Sequence, residues 1–340
     1  MARDAVNFLA PRRFMRALTL ESRRRATRRL AGRSGRMINV AATPPAPPPG
    51  ARPRLPRIAA VVNAAAGGVG PGAATALAAL VAEHGFSLSL AEPSPNEIET
   101  AVRAAVDAAP DLVIILAGDG TARLAAELSG PTGPLIAPLA GGTLNMLPHA
   151  LYGARPWPAA LAAALESGVE RMVCGGRVDD RSFYVAAILG APALWGAARE
   201  AIRAGRFRKA GRRIRYALAR AFTGGLHYEL DGGAARSTEA LVLITPTVST
   251  APHIEAALEA VSLDVHSADQ VFRLAFAGLA GDWRRDPRVT VDACNRGQAR
   301  ARRHIPCILD GEMQHVGREV EFVFEPRAFR ALVPAGPTGA

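Results

Sequence analysis

Between residues 56 and 151 the chain alternates short apolar runs with stretches of helical spacing. Residues 58–63 (IAAVVN), 112–117 (LVIILA) and 134–138 (PLIAP) are apolar almost throughout. Continuous apolar runs of this length, bounded by glycine and proline, are the pattern of strands buried on both faces of a parallel sheet. A helix is predicted after the first run, through about His84, and others after the second and third. From Val169 onward the period changes. Short β-like runs occupy Val169–Val178, Ser182–Ala187, His227–Asp231, Ala240–Ile244, Val261–Val265, Val289–Asp292, Ile305–Leu309 and Glu319–Glu325. Helical stretches at about Pro192–Phe222 and Asp269–Gly281 interrupt them. An α/β unit followed by a β-rich unit is the architecture this order predicts.

The ends of the apolar runs carry the chemistry. Residues 112–121 read LVIILAGDGT, so a strand stops at Ala117-Gly118-Asp119-Gly120-Thr121 just before a helix. Gly118 and Gly120 lack Cβ atoms, which lets a polyanion approach backbone N–H groups at a helix start. Asp119 does not itself attract phosphate. A carboxylate beside a nucleotide needs a cation between them, and Mg²⁺ is the usual one. The plainer alternative is a strand-to-helix turn in which Asp119 caps the helix. After the third run, Leu139-Ala140-Gly141-Gly142-Thr143-Leu144-Asn145 repeats the arrangement, and after the first, residues 64–71 (AAAGGVGP) do so again. Loops at the carboxyl ends of neighbouring parallel strands face one crevice. None matches GxGxxG or GxxxxGK[ST].

From about residue 56 to 335 the chain resembles the diacylglycerol kinase catalytic family, which holds bacterial lipid kinases and sphingosine and ceramide kinases. Three motifs carry the resemblance: AGDGT at 117–121 for the family's GGDGT, Gly142-Thr143-Leu144-Asn145 for GTxN, and Asp310-Gly311-Glu312 for DGE. The resemblance implies an α/β nucleotide-binding domain with an NAD kinase/phosphofructokinase-like parallel sheet, plus a β-rich, sandwich-like second domain that holds a lipid. Residues 1–55 are then an Arg-rich arm and Ala/Pro linker, expected to be disordered. Residues 56–155 form the nucleotide domain, 156–326 the lipid domain, and 327–340 return toward the first. ATP and Mg²⁺ are the implied cofactors. Glu312 is the implied base for the lipid hydroxyl, with Asp310 and Asp119 orienting Mg²⁺ through water. Gly118, Gly120, Thr121, Gly142 and Thr143 are to contact phosphates, with Gly141 and Asn145 in the same loop and Asn63 near the nucleotide. Taken without the other motifs, Asp310-Gly311 is a type I′ hairpin turn.

The chain also departs from the family. Asn63-Ala64 stands where many members have Asn-Pro, and Arg123 and Leu124 where Asn and Glu commonly continue the GGDGT helix. The DGxLDV stretch, whose first aspartate helps place a metal in some bacterial members, corresponds to Ala260-Val261-Ser262-Leu263-Asp264-Val265. That aspartate is therefore missing, with Glu259 adjacent as a substitute. Altered metal dependence or lost activity follows as an alternative reading.

Composition narrows the rest. With 340 residues, 49% of them hydrophobic, there is chain enough for two cores. Cys174, Cys294 and Cys307 are odd in number and far apart, and make neither a disulfide framework nor a CxxC site, which suits a reducing compartment. His149 lies near the second loop and reads as a surface or capping residue. No run is long and apolar enough to span a bilayer, and Arg12-Arg13 is followed by charges rather than an apolar core, so a cytoplasmic protein is expected. The net charge of +11 is nearly all arginine, Lys209 being the single lysine. Nine basic residues crowd 199–220 among Ile202, Phe207, Ile214, Leu218 and Phe222. That stretch suits peripheral docking on an anionic membrane, or else a solvated helix face. No zinc-finger spacing, RNP motif or stacking ladder points to nucleic acid. A homodimer stays open. The expected activity is transfer of the ATP γ-phosphate to a diacylglycerol-like or sphingoid hydroxyl. The alternatives are an NAD kinase-like enzyme and a catalytically impaired lipid or nucleotide binder.

Overall fold

The structure is a computed structural model and describes residues 53–190, 225–249, 251, 254, 256–263, 284, 287 and 289–335. The first half alternates strand and helix: β1 (Ile58–Val62), α1 (Ala73–Glu83), β2 (Leu88–Ala91), α2 (Ile98–Asp107), β3 (Leu112–Ala117), α3 (Asp119–Ser129), β4 (Leu135–Ala140), α4 (Met146–Tyr152) and α5 (Trp157–Ser167). Strands β2-β1-β3-β4 lie side by side in that order, all parallel. Every residue of β1 and β3 is buried, which is why those segments read as unbroken apolar runs. The chain crosses from one side of β1 to the other between β2 and β3. Connections therefore diverge at the carboxyl ends of β1 and β3, the place where an open α/β sheet has its crevice.

The second half is antiparallel. It comprises β5 (Gly168–Val178), β6 (Arg181–Phe183), β7 (Ala186–Gly190), β8 (Leu226–Leu230), β9 (Arg236–Thr238), β10 (Ala240–Ile244), β11 (Leu258–Leu263), β12 (Val289–Cys294), β13 (Arg296–Arg300), β14 (Pro306–Leu309), β15 (Glu312–His315) and β16 (Glu319–Pro334). Strands β12-β11-β10-β7-β14-β15 form a separate sheet. The others extend the first sheet in the order β4-β16-β13-β8-β9, with β5 also paired along β16 and β6 paired to β5. Side chains of both layers, among them Val178, Phe322 and Tyr228 from one and Leu189, Leu241 and Leu309 from the other, share one core.

Strand β16 joins the halves. Val320 and Phe322 belong to the core between the antiparallel layers, whereas Phe329, Leu332 and Val333 belong to the core of the α/β unit. Ala331 pairs in parallel with Ile136 of β4. Tyr152 donates a hydrogen bond to the Leu332 carbonyl (2.8 Å), and Tyr184 meets Phe329 edge to face at 4.9 Å. Each such large side chain stabilises by roughly 1.5–3 kcal/mol when fully buried.

Several expected strands differ in detail. The run Ser182–Ala187 is interrupted between β6 and β7, because the N–H groups of Tyr184, Val185 and Ala186 turn to the Asp310 carboxylate instead of a ladder partner. The run at 261–265 begins earlier, at Leu258. The polar strand RGQAR of β13 carries no apolar alternation, yet it pairs on both sides, with β8 and β16. The helical stretches at Pro192–Phe222 and Asp269–Gly281 lie outside the described residues, as does nearly all of the 1–55 arm and linker.

Candidate active site

Three loops meet at the carboxyl ends of β1, β3 and β4. Beyond β1, Asn63 N–H donates to the Leu116 carbonyl (2.9 Å), and Asn63 Oδ1 accepts Ala65 N–H (3.1 Å), a side-chain-closed turn. Gly68 N–H donates to the Gly141 carbonyl (2.9 Å), and Gly141 N–H to the Ala117 carbonyl (3.1 Å). A Cβ on Gly142 would sit 2.8 Å from Gly118 Cα. The glycines are therefore demanded by the mutual approach of two backbones. Asn145, in the left-handed region at φ 51°, folds its side chain back: Oδ1 accepts Gly142 N–H (2.7 Å) and Nδ2 donates to the Gly142 carbonyl (3.1 Å).

Asp119 opens α3 and points across to the start of α4. The backbone N–H groups of Leu147, Asn145 and Met146 are directed at its carboxylate, Leu147 N lying 3.4 Å from Oδ1. Burial pushes the Asp119 pKa up, with nearby Glu312 adding a smaller push, and those N–H groups oppose both. Asp119 thus ties the first motif to the second.

The third motif arrives from the separate sheet. Asp310 (φ 47°) and Gly311 (φ 85°) are the two central residues of the β14–β15 hairpin, in which Leu309 pairs with Glu312. Two positive φ values define a type I′ turn. The turn delivers Glu312 onto α3, close enough that a Cβ on Gly120 would collide with Glu312 Oε1. Its other oxygen, Oε2, accepts from Arg123 Nη2 at 2.8 Å. Arg123 also reaches the Leu309 carbonyl through Nη1 (3.3 Å) and lies 4.0 Å from Glu127 through Nε. Nothing in the sequence pattern around Arg123 points to these partners.

Asp310 behaves differently from its expected role. Its Oδ2 accepts Tyr184 N–H (2.8 Å), and its Oδ1 accepts Val185 N–H (2.9 Å) and Ala186 N–H (3.0 Å). Three of about four lone-pair directions are filled, and the residue is only 2% exposed. Asp310 is a clamp on the β6–β7 connection, not a holder of metal-bound water. Burial pushes its pKa up to about 6 against those N–H bonds. Gly141 and Gly142 likewise have their N–H groups engaged within the protein, so a phosphate does not take its hydrogen bonds from them. Gly118, Gly120 and Thr121 remain half-buried at the α3 start, and Thr143 is exposed on the neighbouring loop.

Magnesium beside a nucleotide takes one or two carboxylates and completes its shell with water and phosphate oxygens. With Asp310 closed, Asp119 is the remaining expected ligand, and among the described residues no group of three or more His, Cys, Asp or Glu gathers as a metal cage. The same holds at the DGxLDV counterpart. Ala260 is buried on β11, and the fully buried Glu259 beside it is neutralised by Arg284, whose Nε and Nη2 lie 2.6 and 2.9 Å from Oε1 and Oε2. Ser249 Oγ adds a bond of 2.5 Å to Oε2. An arginine supplies the positive charge at that place. Asp264 and Val265 lie outside the described residues. All three cysteines are free, as expected. No helix among the described residues is long and apolar enough to cross a membrane.

Known proteins share part of this fold. Residues 57–176 match the diacylglycerol kinase catalytic domain. No curated protein sequence matches the chain. Among solved structures, a diacylglycerol kinase from Bacillus anthracis str. Sterne superposes with a TM-score of 0.59 at 13% identity, covering 85% of this chain and 100% of that one. A putative diacylglycerol kinase from the same organism does so with 0.62 at 15% identity over the same shares. At such identities the likeness is one of fold. The segment that resembles the diacylglycerol kinase catalytic domain, residues 57–176, contains the AGDGT and GTLN loops, and its sheet continues into the antiparallel unit through β16.

Proposed function

We propose that the protein is a lipid kinase that transfers the γ-phosphate of ATP to the hydroxyl of a diacylglycerol-like or sphingoid lipid. The observation that carries this reading is the placement of Glu312 against Gly120, beside the junction of the AGDGT and GTLN loops. Phosphoryl transfer needs little covalent help from the protein; it needs position, charge compensation and a proton acceptor. In this reading the triphosphate lies over the α3 start, where Gly118 and Thr121 leave room for its approach beside the Glu312 carboxylate over Gly120, and the helix end favours negative charge. Magnesium comes bound to the nucleotide's own phosphates, as part of the substrate. The lipid hydroxyl oxygen attacks the γ-phosphorus, the bond from that phosphorus to the β,γ-bridging oxygen breaks, ADP leaves, and the hydroxyl proton passes to the Glu312 carboxylate.

An apolar acceptor is supported by the surface beside the hairpin. The large hydrophobic side chains exposed among the described residues are Leu144 and Met313. Leu144 follows Thr143 and packs on the Gly311 turn, where a Cβ would lie 2.5 Å from its Cδ1; Met313 follows Glu312. The Arg-rich stretch 199–220, outside the described residues, serves in this reading to dock the enzyme on an anionic bilayer.

The test incubates purified protein with labelled ATP, Mg²⁺ and mixed diacylglycerol and sphingoid lipids, and separately with NAD⁺. Label in lipid, lost in Glu312→Gln, is the expected result. Label in NADP instead, or ATP binding without transfer to any lipid, overturns the assignment.

A further inference from the structure

We infer that Arg123 is a positioning residue for Glu312, fixing which of its carboxylate oxygens faces the reacting hydroxyl. The inference rests on the lipid kinase reading and adds a residue to it. Asp119 and Arg123 are four apart on α3, so they share one helix face, from which Asp119 reaches the start of α4 and Arg123 the β14–β15 hairpin. Arg123 is only 16% exposed, while Glu312 is 44% exposed on a two-residue turn. A glutamate there has its side-chain torsions largely free, a freedom worth up to about 2 kcal/mol. The guanidinium removes it. Nη2 holds Oε2 at 2.8 Å, while Nη1 on the Leu309 carbonyl (3.3 Å) anchors the fork to the strand that precedes the turn. Glu127, one helical turn further along, steadies Nε at 4.0 Å. With Oε2 occupied, Oε1 is left lying over Gly120, on the side of the AGDGT loop.

This division of labour suits a proton acceptor. One oxygen is pinned by a charge-assisted bond, and the other keeps its lone pairs for the hydroxyl proton. A misplacement of about 1 Å in such a group costs on the order of 100-fold in rate. A planar guanidinium that binds a carboxylate oxygen and a carbonyl together is not reproduced by an amide, and only in part by an ammonium.

The experiment is a double-mutant cycle on the full-length protein with ATP, Mg²⁺ and the lipid acceptor. Arg123→Gln is expected to lower kcat by about 10- to 100-fold while the KM for ATP changes less than about threefold, and Arg123→Lys to recover part of the loss. Circular dichroism checks that each variant is folded. In a Glu312→Gln background, Arg123→Gln should have almost no further effect, because the oxygen it places no longer accepts a proton. Equal losses in both backgrounds, a change confined to KM, or a lysine variant as impaired as glutamine overturns the positioning role and leaves the kinase reading intact. A wild type that transfers no phosphate overturns both together.

Discussion

Glu312 and Gly120 form the contact on which the proposed chemistry turns, and the glycine can be tested apart from the acid. Gly120 lies in the first turn of α3, where alanine is favoured over glycine by up to ~1 kcal/mol. A Cβ there meets the end of the Glu312 side chain, which can swing aside at little cost in stability. Gly120→Ala should therefore melt at or above the wild-type temperature and yet lose about tenfold or more in phosphate transfer. A parallel fall in melting temperature would assign the glycine to folding instead. Asp310 behaves in the opposite way. Its burial raises the folded pKa to about 6, while the unfolded carboxyl titrates near 3.8. The folded chain holds a proton between those values that the unfolded chain releases, so this group's stabilisation is full below about pH 4 and fades as the pH rises through 6. Compared with Asp310→Asn, the wild type should lose part of its stability advantage between pH 4 and 7, by an amount on the order of 3 kcal/mol. Urea midpoints of both proteins across that range check it, and a gap that widens with pH contradicts it.

At the scale of elements, legibility followed hydrophobic period and motif spacing. Strands β1, β3 and β4 were readable because a parallel strand buried on both faces has no polar positions to blur it, and the loops after them because glycine is required where Gly142 and Gly118 nearly touch. The type I′ turn at Asp310-Gly311 was also legible from its two residue types. What could not be read was partner choice. Nothing in the sequence says that the Asp310 carboxylate bends toward Tyr184, Val185 and Ala186, more than 120 positions away, or that Asn145 takes the N–H of Gly142. Strand β13 was illegible because its polar residues find partners on neighbouring strands, as Gln298 does with Glu229 at 2.6 Å. Arg284 was hidden for the same reason. Its fork on Glu259 holds a fully buried carboxylate, so Arg284→Ala should destabilise by about 3 kcal/mol, the lower end for a broken buried pair because the arginine is partly exposed. Chemical denaturation measures this, and a loss below about 1 kcal/mol would show that the pair is not what holds β11 there.

For the whole molecule, β16 is the element that makes two sheets one body. It runs along β5 for most of its length, touches β4 at Ala331, and contributes to both cores. Residues 53–335 should therefore unfold in a single cooperative transition, seen as coincident loss of far-UV and fluorescence signals in urea; two separated transitions would mean that β16 does not couple the cores. The same architecture brings the β14–β15 hairpin to the mouth of the α/β crevice and so creates the site. The central claim is that the acid on this hairpin accepts the proton of the attacking alcohol. Single-turnover transfer from labelled ATP to lipid, measured for wild type and Glu312→Gln with ATP affinity determined on the same preparations, tests it most directly. The account predicts a fall of about 10²- to 10⁴-fold in the transfer step with ATP affinity unchanged within about threefold. A variant that transfers at the wild-type rate, or one that loses transfer only because it no longer binds ATP, would contradict it.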